Sequence, residues 1–251
     1  MKADNWTQLV RDPRPGDHLV QVYQDEAFLR QTVTAYIDEG LSRGESAVII
    51  ATPEHRKLFG YVAHERLRIL DAHETLAAFM VDGYPDWKRF HQIIGGLIAE
   101  LRLSSPTVCA YGEMVDVLWQ RGEKDAATRL EGYWNELGRL QTFSLLCAYR
   151  IDPLDPASYS GPLQCVCSSH THLIPAQDYS AFNEAVLDTT REVFEAPLSK
   201  ILLSLALSHR DATSMPAGQS TLMWLKKNMP RSSDKVLAEL RKRRAAATAL
   251  S

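Results

Sequence analysis

The chain has 251 residues, of which 45% are hydrophobic, enough for one α/β domain with a sizeable core plus an appendage. No apolar run approaches the roughly 18 residues that a membrane span needs, and Met1 to Trp6 has no apolar signal core, so the sequence predicts a cytoplasmic protein without membrane contact. Four cysteines are too few for a disulfide scaffold, and the net charge of −3 conceals an asymmetry: residues 221–251 hold eight Lys/Arg against two acids, on an otherwise acidic chain.

In chain order, His18 to Tyr23 reads as a short strand, Gln24-Asp25-Glu26 as a turn, and Ala27 to Arg43 as an amphipathic helix whose Val33, Tyr36, Ile37, Gly40 and Leu41 share one face. Ser46 to Ala51 is an uninterrupted apolar run, the mark of a strand covered on both faces. Thr52-Pro53-Glu54 then starts a helix with a hydroxyl cap, a first-turn proline and an acid at the positive dipole end. Arg68 to Leu70 predicts a third strand, Trp87 to Leu101 a long helix after an Asp82-to-Asp86 surface loop, and Thr107 to Tyr111 a fourth strand breaking into a helix over 113–120. A further helix carries Ala126, Ala127, Leu130, Trp134 and Leu137. Phe143 to Tyr149 makes a fifth strand, Leu163 to Cys167 a candidate edge strand, and helices follow near 178–195 and 197–208. Strands alternating with helices predict an α/β fold with a mostly parallel sheet and helices on both faces.

The strand, turn and helix over 18–43 stand where a RecA-like ATPase keeps its phosphate loop. Such a loop needs glycines whose N–H groups wrap phosphates, then Lys-Ser/Thr. Tyr23, Gln24, Asp25 and Glu26 stand there instead, and the two carboxylates would repel a triphosphate.

A series of pieces carries a family resemblance: His18 with Tyr23, Gly40-Leu41 with Gly44-Glu45, Leu70-Asp71-Ala72, and Phe79 to Gly83. Tyr111 to Val115 with Trp119, Leu130-Glu131 with Trp134-Asn135, Leu145 to Tyr149, and Cys167 with His170 and His172 complete it. The chain resembles the MEDS sensory domain, named for methanogens, methylotrophs and a dichloromethane-response regulator, over roughly residues 15 to 195. The resemblance implies a RecA/KaiC-like fold with a degenerate phosphate loop, and a signal-input protein that binds a small molecule and signals to a kinase, an anti-sigma pathway or a transcription regulator. Residues 1–209 are read as the sensory domain and 210–251 as a linker and a basic helical tail.

Ligands of open parallel sheets sit at the carboxyl ends of the strands. The residues there predict a ligand site lined by Tyr23, Gln24, Asp25, Thr52, Tyr111, Glu113 and Tyr149, with Glu113 as the charged group unless it only caps the following helix. No catalytic residue is assigned: Gly-x-Ser-x-Gly and His-Glu-x-x-His are missing, and His18, His64, His73 and His91 are scattered. Cys165, Cys167, His170 and His172 have the donor chemistry of a zinc site, but four ligands within eight residues would force a tight knuckle, and two buried thiols with two loop histidines is the competing reading. The tail, with Val236, Leu237 and Leu240 beside its charges, suits docking on a protein partner or a second copy better than nucleic acid. The expected function is a non-enzymatic sensor with no resident cofactor; the alternatives are a divergent nucleotide- or metal-dependent hydrolase and a partner-recruiting scaffold.

Overall fold

The computed structural model describes residues 5–159, 166, 169–174, 179–208 and 217–249. It contains strands β1 (His18–Tyr23), β2 (Ser46–Ala51), β3 (Leu67–Asp71), β4 (Met80–Val81), β5 (Tyr84–Pro85), β6 (Val108–Gly112), β7 (Phe143–Arg150) and β8 (His172–Ile174). Six of them form a parallel sheet in the order β3-β2-β6-β7-β1-β8, as the apolar runs require: β1, β2 and β6 are buried along their whole length. β4 and β5 pair as a small antiparallel hairpin around Asp82 and Gly83, which both take positive φ, where the sequence predicted a loop.

The chain-local signals work as read. Helix α2 (Glu26–Ser42) starts at Asp25, whose carboxylate accepts from the Ala27 N–H, and α3 (Pro53–Phe59) starts at Thr52. Short helix α1 (Asn5–Arg11) precedes β1. Phe28, Leu29, Val33, Tyr36 and Ile37 of α2 bury against Leu19, Ile49, Tyr111 and Leu146 on one face of the sheet. Gly40 permits the close approach of α2 to β6, since a Cβ there would fall 2.4 Å from the Cys109 sulfur.

The opposite face carries α4 (Ala72–Phe79), α7 (Met114–Gln120) and α8 (Lys124–Leu140). The long helix expected over 87–101 is there, as α5 (Trp87–Phe90) and α6 (Gly96–Leu101), but interrupted by a π turn at His91–Gly95. Gly95 lies against Leu137, and its carbonyl accepts from Gln141 Nε2, so the extra residue in the turn fits close packing on the end of α8.

By its internal contacts the chain forms two compact units. The first comprises Met1–Arg150 and Ser169–Ile174; the second comprises Ile151–Ser168 and Pro175–Ser251. Helices Tyr179–Phe194 and Leu198–Ser208 therefore group with tail helices Ala217–Asn228 and Pro230–Ala249, whereas the sequence reading drew its boundary at 209/210. The reason is apolar packing: Val236, Leu237 and Leu240, read as a docking stripe, are buried in a helix that packs on 179–194 and 217–228. Arg241 and Arg243 pair with Asp155 and Glu192 of the same unit. The edge strand expected at Leu163 to Cys167 lies, apart from Val166, outside the described residues, and β8 takes the edge beside β1.

Candidate functional site

Adjacent strands β2 and β6 send their chains in opposite directions, β2 through α3 to β3 on one side and β6 through α7 and α8 to β7 on the other. Such a reversal is where open parallel sheets place a crevice, at the carboxyl ends of the two strands. Glu113, which follows β6, and Thr52 and His55, which follow β2, meet there. Glu113 Oε1 accepts from Tyr111 Oη at 2.7 Å and bonds His55 Nδ1 at 2.7 Å, and Oε2 accepts from the Thr52 N–H at 2.9 Å. The carboxylate is 3% exposed, and although Glu113 stands at the cap position of α7 its side chain makes no capping bond. It therefore brackets two strand ends.

Rings close around this pair. Tyr23 at the end of β1 and Phe59 of α3 lie 6.1 and 5.9 Å from the His55 ring. Burial opposes charging of His55, but the bond to Glu113 and its charge outweigh it and hold the imidazole above its ordinary pKa. Burial likewise drives the Tyr23 and Tyr111 hydroxyls up, keeping both neutral. Asp116, in the first turn of α7, is pushed up to about 6 by burial, against hydrogen bonds from Gln120 and the Arg150 N–H.

Of the predicted lining, Tyr23, Thr52, Tyr111 and Glu113 converge here. Gln24 and Asp25 form the turn between β1 and α2, and Asp25 is engaged as the helix cap. Tyr149 is not in this group: the register puts it on the opposite face of the sheet, where its hydroxyl donates to Glu131 Oε1 of α8.

That opposite face holds a second buried cluster. His18 Nε2 lies 3.3 Å from Cys147 Sγ and 3.4 Å from Glu131 Oε2, and His170 Nε2 lies 3.5 Å from Glu131 Oε1. The two imidazole rings are 4.0 Å apart. Asn135 Oδ1 meets His18 Nδ1 at 2.9 Å, while its amide donates to the Ser169 carbonyl. Thr171 clamps the His18 backbone through both its N–H and its hydroxyl. Burial and the neighbouring His170 lower His18 to about 4, and burial raises Glu131 and Cys147. A cavity of about 220 Å³ lies at the amino ends of β1 and β7, with His18, Trp134 and Asn135 in its wall.

Of the four predicted metal ligands, His170 belongs to this cluster, while His172 opens β8 with its Nε2 3.7 Å from Asp17. Cys165 and Cys167 lie outside the described residues. His55, Glu131, Asn135 and Cys147 were not singled out as site residues. His55 had no signal beyond its place in the first turn of a capped helix after a buried strand. Glu131, Asn135 and Cys147 stand in pieces that carried the family resemblance, with nothing in their spacing to say that they meet.

The six-stranded sheet with helices on both faces defines a parallel α/β protein. The family model of the MEDS domain, the MEthanogen/methylotroph, DcmR Sensory domain, matches residues 17–171, and the chain belongs to that family. Its role is accordingly sensory. No curated protein matches the chain. Among the described residues, no helix is long and apolar enough to cross a membrane.

Proposed function

We propose that this chain is a non-catalytic sensory and regulatory module that takes up a small molecule at the β2/β6 crevice and passes the event to a protein partner in a kinase, anti-sigma or transcription pathway. The observation that carries the reading is the meeting of Glu113 and His55, from the ends of two different strands, at the switch point. A polar ligand that replaces one bond of Glu113 would release either α3 or the start of α7. Binding then shifts the module between two arrangements, provided that the ligand prefers one of them.

The hydrolase alternative has less support. Only Gln24 and Asp25 separate β1 from α2, too short a turn to wrap phosphates, and the Asp25 carboxylate occupies the anion-binding end of the helix. A scaffold role for the second unit remains compatible with a sensory first unit.

The test is a thermal-shift panel of small neutral and anionic organic molecules on the full chain, with His55→Gln as reporter because glutamine keeps a donor for Glu113. At least one class should raise the melting temperature of the wild type and lose that effect in the variant. Equal shifts in both proteins would move the ligand elsewhere, and magnesium-dependent turnover of ATP would overturn the non-catalytic reading.

A further inference from the structure

We propose that His18, Glu131, Cys147 and His170 form a transition-metal site, with zinc the best-fitting ion, buried between α8 and the sheet on the face opposite the Glu113 crevice. It is independent of the ligand site proposed above. One imidazole nitrogen each of His18 and His170, Sγ of Cys147 and a Glu131 carboxylate oxygen all lie within 4.8 Å of one another, and all four residues are buried. Bond lengths of about 2.0–2.3 Å to nitrogen, oxygen and thiolate give tetrahedral donor-to-donor edges of roughly 3.3–3.8 Å. The separations of 3.3 and 3.4 Å from His18 Nε2 to Cys147 Sγ and Glu131 Oε2 fall in that range, and His170 Nε2 lies 3.5 Å from the other oxygen of the same carboxylate.

Hydrogen bonding explains why a cation belongs between these atoms. The Ser169 carbonyl can only accept, so the Asn135 amide must turn its nitrogen to Ser169 and its oxygen to His18. That oxygen can only accept in turn, so His18 Nδ1 carries a hydrogen. In a neutral imidazole Nε2 then presents a lone pair, which faces both the Cys147 sulfur, at best a weak thiol donor, and Glu131 Oε2, a buried oxygen with no hydrogen bond. Two lone pairs facing each other out of water repel, whereas an ion between them accepts both. Asn135 on His18 and Tyr149 on Glu131 are the outer partners that fix ligand tautomer and orientation in metal sites.

Charge closes the argument. On binding, the Cys147 thiol gives its proton to solvent as the sulfur–metal bond forms. One thiolate and one carboxylate then cancel a divalent charge, so the loaded site is neutral, the condition under which ions are tolerated in an apolar interior. Imidazole, thiolate and carboxylate together suit a borderline ion such as zinc over magnesium or calcium. The site would tie β1, α8, β7 and the segment before β8 into one unit. This donor set spans the first unit and replaces the local Cys165–His172 knuckle: of that group it retains His170 alone.

The experiment uses the full chain without a histidine tag, stripped by chelation and titrated with Co²⁺ as a spectroscopic stand-in. One Co²⁺ per chain should bind with tetrahedral absorption and a thiolate-to-cobalt charge-transfer band, and Zn²⁺ should displace it. Cys147→Ser should abolish the band and weaken affinity at least tenfold, and Asn135→Ala should weaken it by about 10–100-fold. The double variant Cys165→Ser/Cys167→Ser should leave the band intact. X-ray absorption of the zinc-loaded wild type, which depends on no variant folding, should give a single sulfur at about 2.3 Å with lighter ligands at about 2.0 Å. Two or more sulfurs, a band that survives Cys147→Ser, or no Co²⁺ bound at micromolar concentration would each overturn the proposal, the last leaving a proton-shared network.

Discussion

Two buried carboxylate networks of the first unit, around Glu113 and Glu131, sit on opposite faces of one sheet and solve the same problem differently. Around Glu113 each carboxylate oxygen meets a donor at 2.7–2.9 Å, and the network is complete from protein atoms alone. Around Glu131 the contacts with His18 and His170 are 3.4 and 3.5 Å, and one carboxylate oxygen has no hydrogen bond. A complete network holds its groups in place until a ligand competes for one of its bonds, whereas an incomplete one leaves the desolvation of a buried oxygen uncompensated by protein atoms. Both clusters lie inside the matched residues 17–171.

The sharpest way to break the comparison is Glu113→Ala. It strands the Thr52 N–H, the Tyr111 hydroxyl and a raised-pKa His55 in the interior, and should cost about 3–5 kcal/mol by urea denaturation. A loss below about 1 kcal/mol would mean that the bracket contributes little. Chelation probes the other face: protein held at a hundredfold excess of zinc over Kd should lose about 2.7 kcal/mol on stripping, seen as a fall in melting temperature. Stripping that leaves the melting temperature unchanged would show the Glu131 cluster to be as self-sufficient as the Glu113 network.

Smaller effects come from titration. Asp116 has a folded pKa of about 6, above its ordinary 3.8, so its contribution to stability is full below the ordinary value and lost as pH rises through about 6. Asp116→Asn should remove that loss, on the order of 2 kcal/mol or less, from a stability profile between pH 4 and 7. His55, also raised, contributes stability that is full below its ordinary 6.5 and is lost as pH climbs through the folded value, so His55→Gln should flatten the profile above pH 6.5. The least effect is expected from Asp25→Ala, about 1 kcal/mol for a lost helix cap. If Asp25 only caps α2, ligand-induced thermal shifts should survive the change, and their disappearance would return Asp25 to the binding site.

Elements whose cause is local were legible in the sequence. Thr52-Pro53 starts a helix where a cap was readable, and the apolar run of β2 is buried on both faces. Features whose cause is tertiary were not. The π turn at His91–Gly95 answers to the end of α8, and the hairpin at Asp82-Gly83 shows only as turn residues. The sites divide the same way. Strand-end logic brought Tyr111, Glu113 and Thr52 together, but His55 lies 58 positions from Glu113 and His18 lies 129 from Cys147, separations that only sheet register converts into contact. Tyr149 shows the cost of a one-residue parity: a strand end names two faces, and its side chain takes the one under α8.

The segment Ser169–Ile174 belongs to the first unit although the chain on both sides of it belongs to the second. It works as a six-residue stitch, sewn through Thr171 onto the backbone of His18 and ending in the edge strand. Undoing that stitch would take away an imidazole and bare the hydrogen-bonding rim of β1 in the same stroke. Fraying at the border of the sheet and loss of the buried donor set are thus a single latch, and hydrogen exchange should find their amides opening together.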